Sequence, residues 1–123
     1  MSSQKQQPAH YRLDVWKDAM RLVREIYAQT ATLPESERFG LQAQVRRAAV
    51  SVPSNIAEGA ARGSKQEFAR FLRIARGSLS ELDTQLWLCR DLKLCPVHDD
   101  TFERVQALTA RINALLRAGN RRS

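Results

Sequence analysis

Residues 64–92 read SKQEFARFLRIARGSLSELDTQLWLCRDL. The apolar positions Phe68, Phe71, Leu72, Ala75, Leu79, Leu82, Leu86 and Cys89 recur at the three- and four-residue steps of one α-helical face. Ser64 and Glu67 have the spacing of a capping box, in which hydroxyl and carboxylate each satisfy a backbone N–H that the first turn leaves without a partner. Arg90 and Lys93 fall at the other end, where cations suit the negative end of the helix dipole. The stretch is predicted to form one long helix ending near Leu92.

The same period extends in both directions from this helix. Ahead of Gly63, the residues Leu41, Val45, Ala48, Ala49, Val52, Ile56, Gly59 and Ala60 stay in phase, so a second helix starts between Pro34 and Gly40 and ends near Arg62. Pro53 lies inside it. A proline there removes one backbone hydrogen bond and crowds the carbonyl of Ala49, which predicts a kink over residues 49–53 and not a break, since the apolar stepping stays in phase through it. Ser51 and Ser54 are placed to satisfy the freed groups. A first helix, residues 13–31, carries Trp16, Ala19, Met20, Val23, Ile26, Tyr27 and Thr30, with Asp14 as a candidate cap and Pro34 as the stop. A fourth opens on a second box-like segment, Asp100-Thr101-Phe102-Glu103. It continues through Phe102, Val105, Leu108, Ile112, Leu115 and Leu116 to a stop at Gly119. Residues 1–10 and 119–123 are expected to be flexible tails around a domain spanning 11–118. Four helices with short loops pack best as an all-α, up-down-up-down antiparallel four-helix bundle.

Length and composition agree. A chain of 123 residues and 14.0 kDa supports one ordinary core, burying about two-thirds of its open-chain surface. Hydrophobic residues are 43% and charged residues 27%, a globular balance and not a disordered one. No apolar run reaches the roughly 18–20 residues that span a bilayer, and the first residues lack the apolar core of a secretion signal, so a cytoplasmic location is expected. Two cysteines, Cys89 and Cys95, make neither a disulfide framework nor a C-x-x-C pair. His10 and His98 have no second ligand at metal spacing. No metal, cofactor or catalytic residue is expected.

Three features exceed what a bundle needs. The first is polar content in helix two, where Arg47, Ser51 and Asn55 recur every four residues beside Ser54 and Glu58. Helix three offers Gly77, Ser78, Glu81 and Gln85. A semi-buried network of Arg47, Ser51, Asn55, Glu58 and Glu81 is expected, with Arg47 or Arg76 paired to Glu58 or Glu81, because an unpaired buried charge is costly. The competing reading makes Glu58 and Glu81 an acid–base pair. The second feature is surplus apolar surface at Leu86-Trp87-Leu88-Cys89, Leu92 and Leu94, and at Val15 and Trp16, which suggests self-association or a partner. The alternative is a satellite cluster under the loop at Pro96.

The third feature is charge. Twenty basic residues, sixteen of them arginine, outnumber thirteen acidic ones, giving +7. The excess gathers between residues 62 and 76, where Arg62, Lys65, Arg70, Arg73 and Arg76 face only Glu67, a net +4. Arginine's planar fork of donors suits phosphate, and such contacts bring affinity without sequence choice. A nucleic-acid-binding surface is expected there; pairing with acids of a neighbouring helix is the competing reading.

The strings Arg46-Arg47-Ala48-Ala49-Val50-Ser51-Val52-Pro53-Ser54-Asn55-Ile56-Ala57-Glu58-Gly59, Ser64-Lys65-Gln66-Glu67-Phe68 and Phe71-Leu72-Arg73-Ile74-Ala75-Arg76-Gly77-Ser78-Leu79-Ser80-Glu81-Leu82 resemble a known group. It is the bacterial four-helix-bundle family named for proteins encoded in 23S ribosomal RNA intervening sequences. That family also includes the accessory variability determinant of diversity-generating retroelements. Tyr11-Arg12-Leu13-Asp14-Val15-Trp16 and the turn from Leu33-Pro34 to Gly40-Leu41 are similar as well, so the resemblance covers residues 11–95. Beyond Pro96 it extends only to an amphipathic helix. The resemblance implies a four-helix protomer, a homopentameric barrel and no catalytic residues. For the retroelement branch it implies a basic surface that binds nucleic acid and a reverse transcriptase. The expected function is a non-enzymatic, oligomeric, nucleic-acid-associated protein. The alternative is a scaffold that docks a partner such as a reverse transcriptase through apolar surface.

Overall fold

A computed structural model describes residues 7–122, with side chains described through Gly119. Four helices form: α1 (Asp14–Thr30), α2 (Leu41–Ala61), α3 (Lys65–Asp91) and α4 (Asp99–Arg122). Short 3-10 turns at Ala9–Arg12 and Glu35–Glu37 precede α1 and α2. There is no strand among the described residues.

The helices meet in cyclic order, α1 on α2, α2 on α3, α3 on α4 and α4 back on α1. In each pair the contacts run in opposite sequence order, as antiparallel neighbours give. Thr30 and Tyr27 meet Gln42 and Arg46, while Ser51 meets Ser78 and Gly59 meets Phe71. Arg76 and Trp87 meet Asn113 and Phe102, and Asp18 and Glu25 meet Arg111 and Arg104. Leu22, Ile26, Ile56, Leu72, Leu79, Leu82, Leu86 and Ile112 are fully buried at the shared seam. Each such side chain contributes about 2 kcal/mol relative to exposure.

Local chemistry sets the helix ends. Ser64 is extended (φ −126°, ψ 148°), and its hydroxyl accepts the Glu67 N–H at 3.1 Å. The other half of the expected box does not close, because the Glu67 carboxylate turns outward to Arg70. Gly63, at φ 78°, makes the tight reversal between α2 and α3. At the end of α3, Leu94 N–H reaches Cys89 O and Lys93 N–H reaches Arg90 O. This is a Schellman stop, with Lys93 (φ 56°) in the left-handed position usually held by glycine. Asp14 does not cap α1; Leu13 holds that position and Asp14 falls in the first turn.

Some expectations change. The buried face of α1 is Val15, Ala19, Leu22, Ile26 and Thr30, rotated from the expected stripe, so Tyr27 is exposed. Val15, read as surplus surface, is in the core. Trp16 is partly covered by its own chain, with the His10 ring 4.8 Å away and Tyr11 stacked at 5.6 Å. Residues 9 and 10, within the segment expected to be loose, form part of a 3-10 turn; residues 7 and 8 are exposed and outside any helix, and residues 1–6 lie outside the described residues. As expected, Pro53 does not break α2, which runs continuously from Leu41 to Ala61 with the proline buried inside it. The helix α4 starts at Asp99, so Asp100 and Thr101 lie in its first turn, and it runs past Gly119 to Arg122. Gln85, one of the polar positions offered by α3, is buried, and its Oε1 lacks a hydrogen-bond partner.

Both thiols are buried. Burial, with a smaller effect from Cys95, pushes the Cys89 thiol from 9.0 up to about 12. Burial also raises Cys95, against a smaller lowering by its hydrogen bond with Cys89. Above pH 9 the unfolded chain releases a proton that folded Cys89 keeps until about pH 12. Stability is therefore whole below pH 9 and declines from there towards pH 12, approaching about 1.4 kcal/mol per pH unit for each affected thiol. Urea unfolding of wild type and Cys89→Ala across this range checks it. Wild type is expected to lose stability more steeply with pH, and parallel curves would refute the assignment.

Candidate nucleic-acid interface

The five cations expected to meet phosphate divide into two groups. Arg62 and Arg70 sit over the same ring, that of Phe71, at 5.1 Å and 4.5 Å. Arg62 Nη2 donates to Glu58 at 2.8 Å. Arg70 donates to both oxygens of Glu67, at 3.2 and 3.3 Å. These hydrogen bonds from Arg70 hold the Glu67 carboxyl below its ordinary value, against a smaller opposing effect of burial. Both pairs are half-exposed i,i+3 or i,i+4 pairs on a helix surface, so each contributes little to stability. They nonetheless neutralise two of the five cations locally.

Lys65, Arg73 and Arg76 form the second group. Lys65 and Arg73 are exposed and have no carboxylate within ion-pair distance among the described residues. Arg76 is half-buried and donates to the amide oxygen of Asn113 on α4 at 2.8 Å, a bond that leaves its charge uncompensated. The helical turn explains the grouping. Position 76 lies about 20° around the helix from position 65, on the side next to α4, while position 70 lies about 140° away. Five cations against Glu58 and Glu67 leave +3, gathered towards the α3–α4 side. Arg117, exposed and one turn beyond Asn113, belongs to the same side. The sequence reading missed it because charge was counted along the chain and not across neighbouring helices.

The expected polar network is smaller than predicted. Ser51 Oγ and Ser78 Oγ are 2.8 Å apart, and Asn55 Nδ2 donates to Ser51 O at 2.8 Å and to its hydroxyl at 2.9 Å. These three link α2 to α3. The charged members are elsewhere: Arg47 is exposed, Glu58 binds Arg62, and Glu81 is exposed and accepts from Gln85 at 3.3 Å. Arg76 turns to α4, so no cross-helix pair joins Arg47 or Arg76 to Glu58 or Glu81. The reason is angular drift. A four-residue step advances about 40° around a helix, so a stripe that is half-buried at Ser51 has reached solvent at Arg47. The two carboxylates do not face one another, and the acid–base arrangement is absent. Replacing Asn55 by leucine is expected to cost about 1 kcal/mol, because Ser51 keeps its bond to Ser78. An unchanged or higher melting temperature would show that the Asn55 bonds contribute nothing.

The structure also shows polar links that periodicity did not suggest. At the end of α1 the carbonyls of Tyr27 and Thr30 have no helical partner. Arg46 donates to Tyr27 O at 3.1 Å and Gln42 to Thr30 O at 2.8 Å. Between α1 and α4, buried Thr101 donates to Glu25 at 2.6 Å and bonds Gln29, and Arg104 reaches Glu25 at 2.9 Å. The apolar corner at the end of α3 is partly used internally. Trp87 packs on Phe102 at 4.5 Å, and Arg90 spans that corner to Asp99 at 2.8 Å and the carbonyl of Val97. Trp87, Leu88 and Leu92 still keep 44%, 43% and 62% of their surface exposed. No helix among the described residues is long and apolar enough to cross a membrane.

Together these features define a small all-helical bundle with an arginine-rich flank on its third helix. A family model described as 23S rRNA-intervening sequence protein matches residues 11–118, and the chain belongs to that family. No curated protein matches the chain.

Proposed function

We propose that this protein is a non-enzymatic, oligomeric, nucleic-acid-associated protein that holds RNA through sequence-independent phosphate contacts. Lys65, Arg73 and Arg76 make the primary contacts in this reading, Arg117 extends them, and Arg62 and Arg70 join when phosphate displaces their carboxylates. The observation that carries it is the cation group on α3, exposed at Lys65 and Arg73 and half-buried at Arg76, without carboxylate partners among the described residues. The family's description, which names ribosomal RNA, supports the choice of polyanion. Assembly into a ring, which the family resemblance implies to be a homopentamer, multiplies a weak patch by avidity. A cytoplasmic location accompanies this reading. The test is fluorescence anisotropy of labelled RNA over a series of salt concentrations, with light scattering for the mass. Binding that weakens linearly in log–log form with salt is expected; no binding at low salt overturns the proposal, and a monomeric mass removes its oligomeric part.

The exposed Trp87, Leu88 and Leu92 favour a second reading, a scaffold that docks a partner such as a reverse transcriptase. It requires a complex with that enzyme that survives nuclease treatment and is lost on Trp87→Ala with Leu92→Ser. A complex dissolved by nuclease would refute it.

A further inference from the structure

At the corner of α1 and α2, a groove of about 530 Å³ opens between Tyr27, Phe39, Ala43, Arg46, Arg47 and Val50, with Arg38 at its rim. That volume falls within the roughly 300–1,000 Å³ of small-ligand sites. Its lining holds three arginines and no carboxylate. Arg46 is fixed: its guanidinium lies 4.4 Å over the Tyr27 ring and donates to Tyr27 O and Thr30 Oγ1. Arg38 approaches Glu35 only at 3.5 Å, with both side chains largely in solvent. Arg47 is exposed with no ion pair among the described residues. Phe39 is 85% exposed, the most exposed of the large apolar side chains among the described residues. The Arg38 guanidinium lies 5.1 Å over the Phe39 ring; an exposed ring among cations suits a base that takes the place of Arg38 on it, with the flanking phosphates on the arginines. A second copy of a chain carrying +7 meets repulsion at this arginine-lined corner.

We infer that this groove binds one or two nucleotides of single-stranded RNA, with the base stacked on Phe39 and phosphates on Arg38 and Arg47. The inference rests on the nucleic-acid reading above and adds a strand preference to it. The site is separate from the α3 flank, since the groove opens between α1 and α2 while Arg76 turns to Asn113 on α4.

The experiment compares a labelled 12-nucleotide oligouridylate with an RNA duplex of equal length, at constant low salt. Phe39→Ala is expected to weaken the single strand by about 5- to 150-fold, the range of one lost stacking contact, and to leave the duplex unchanged. Phe39→Trp restores the single-strand affinity. Lys65→Glu with Arg73→Glu weakens both ligands. Wild-type binding to the single strand that survives Phe39→Ala overturns the groove and leaves the α3 flank standing. Binding that ignores the α3 variant but falls with Phe39→Ala does the reverse. A Phe39→Ala protein of lower mass by light scattering assigns the ring to contact between copies and overturns the inference. Wild-type protein that binds neither RNA overturns both.

Discussion

Gly59→Val is expected to remove about 3 kcal/mol of stability and roughly 10 °C of melting temperature. A Cβ at Gly59 lies 2.7 Å from Phe71 Cβ and 3.4 Å from Phe68 Cα. Neither atom is the movable end of a side chain. Phe71 Cβ is tied to the α3 backbone, so the helices themselves must part. Gly59→Ala shows the competing terms. It gains about 1 kcal/mol of helix propensity and meets an overpacking cost of about 1–3 kcal/mol, so a net change between zero and a loss of about 2 kcal/mol is expected. Gly77 supplies the control, because a Cβ there meets nothing within 4 Å and only the propensity gain remains. Gly77→Ala therefore stabilises by up to about 1 kcal/mol. Urea unfolding of the three variants reads the result; a Gly59→Ala protein stabilised as much as Gly77→Ala would mean that α2 and α3 do not approach this closely.

Reversing Lys65 and Arg73 together to glutamate is expected to lower the magnitude of the log–log salt slope for RNA by about 2 for each protomer engaged. At about 50 mM salt a single phosphate contact is worth roughly 15-fold relative to 1 M, so two lost contacts weaken binding by about 10²-fold. Both side chains are exposed, so helicity and melting temperature should stay within error of wild type. Glu58→Gln with Glu67→Gln tests the same electrostatics in the opposite sense. It releases Arg62 and Arg70 from their carboxylates and is expected to strengthen binding and steepen the slope. An unchanged slope in the Lys65 and Arg73 variant would show that RNA, if bound, lies elsewhere on the bundle.

Much of the bundle was legible in the residues. The period of Phe71, Leu72, Ala75, Leu79, Leu82 and Leu86, the Ser64 cap and the Gly63 break are local facts, each set by backbone geometry within a few residues, and each recurs in the structure. The face of α1 was less legible. Trp16, Met20 and Tyr27 are as apolar as Val15 and Leu22, so the period alone admits two stripes. The 3-10 turn that covers Trp16 and the position of α4 decide between them.

Charged residues show the limit most clearly. Arg46 and Arg47 are neighbours of identical chemistry. One satisfies the carbonyl end of α1 and the other points to water. Glu58 and Glu81, grouped by spacing, lie apart on the surface, each bonded within its own helix end or turn. Phe39 carried no periodic signal at all, yet it stands exposed beside three arginines, one of them over its ring. By itself the sequence determined the helices, their punctuation and the excess of positive charge, because helix formation depends on groups three and four residues apart. Only the tertiary structure decided which cations keep an uncompensated charge and which rings stay uncovered, because those outcomes depend on groups that the fold brings together from distant parts of the chain.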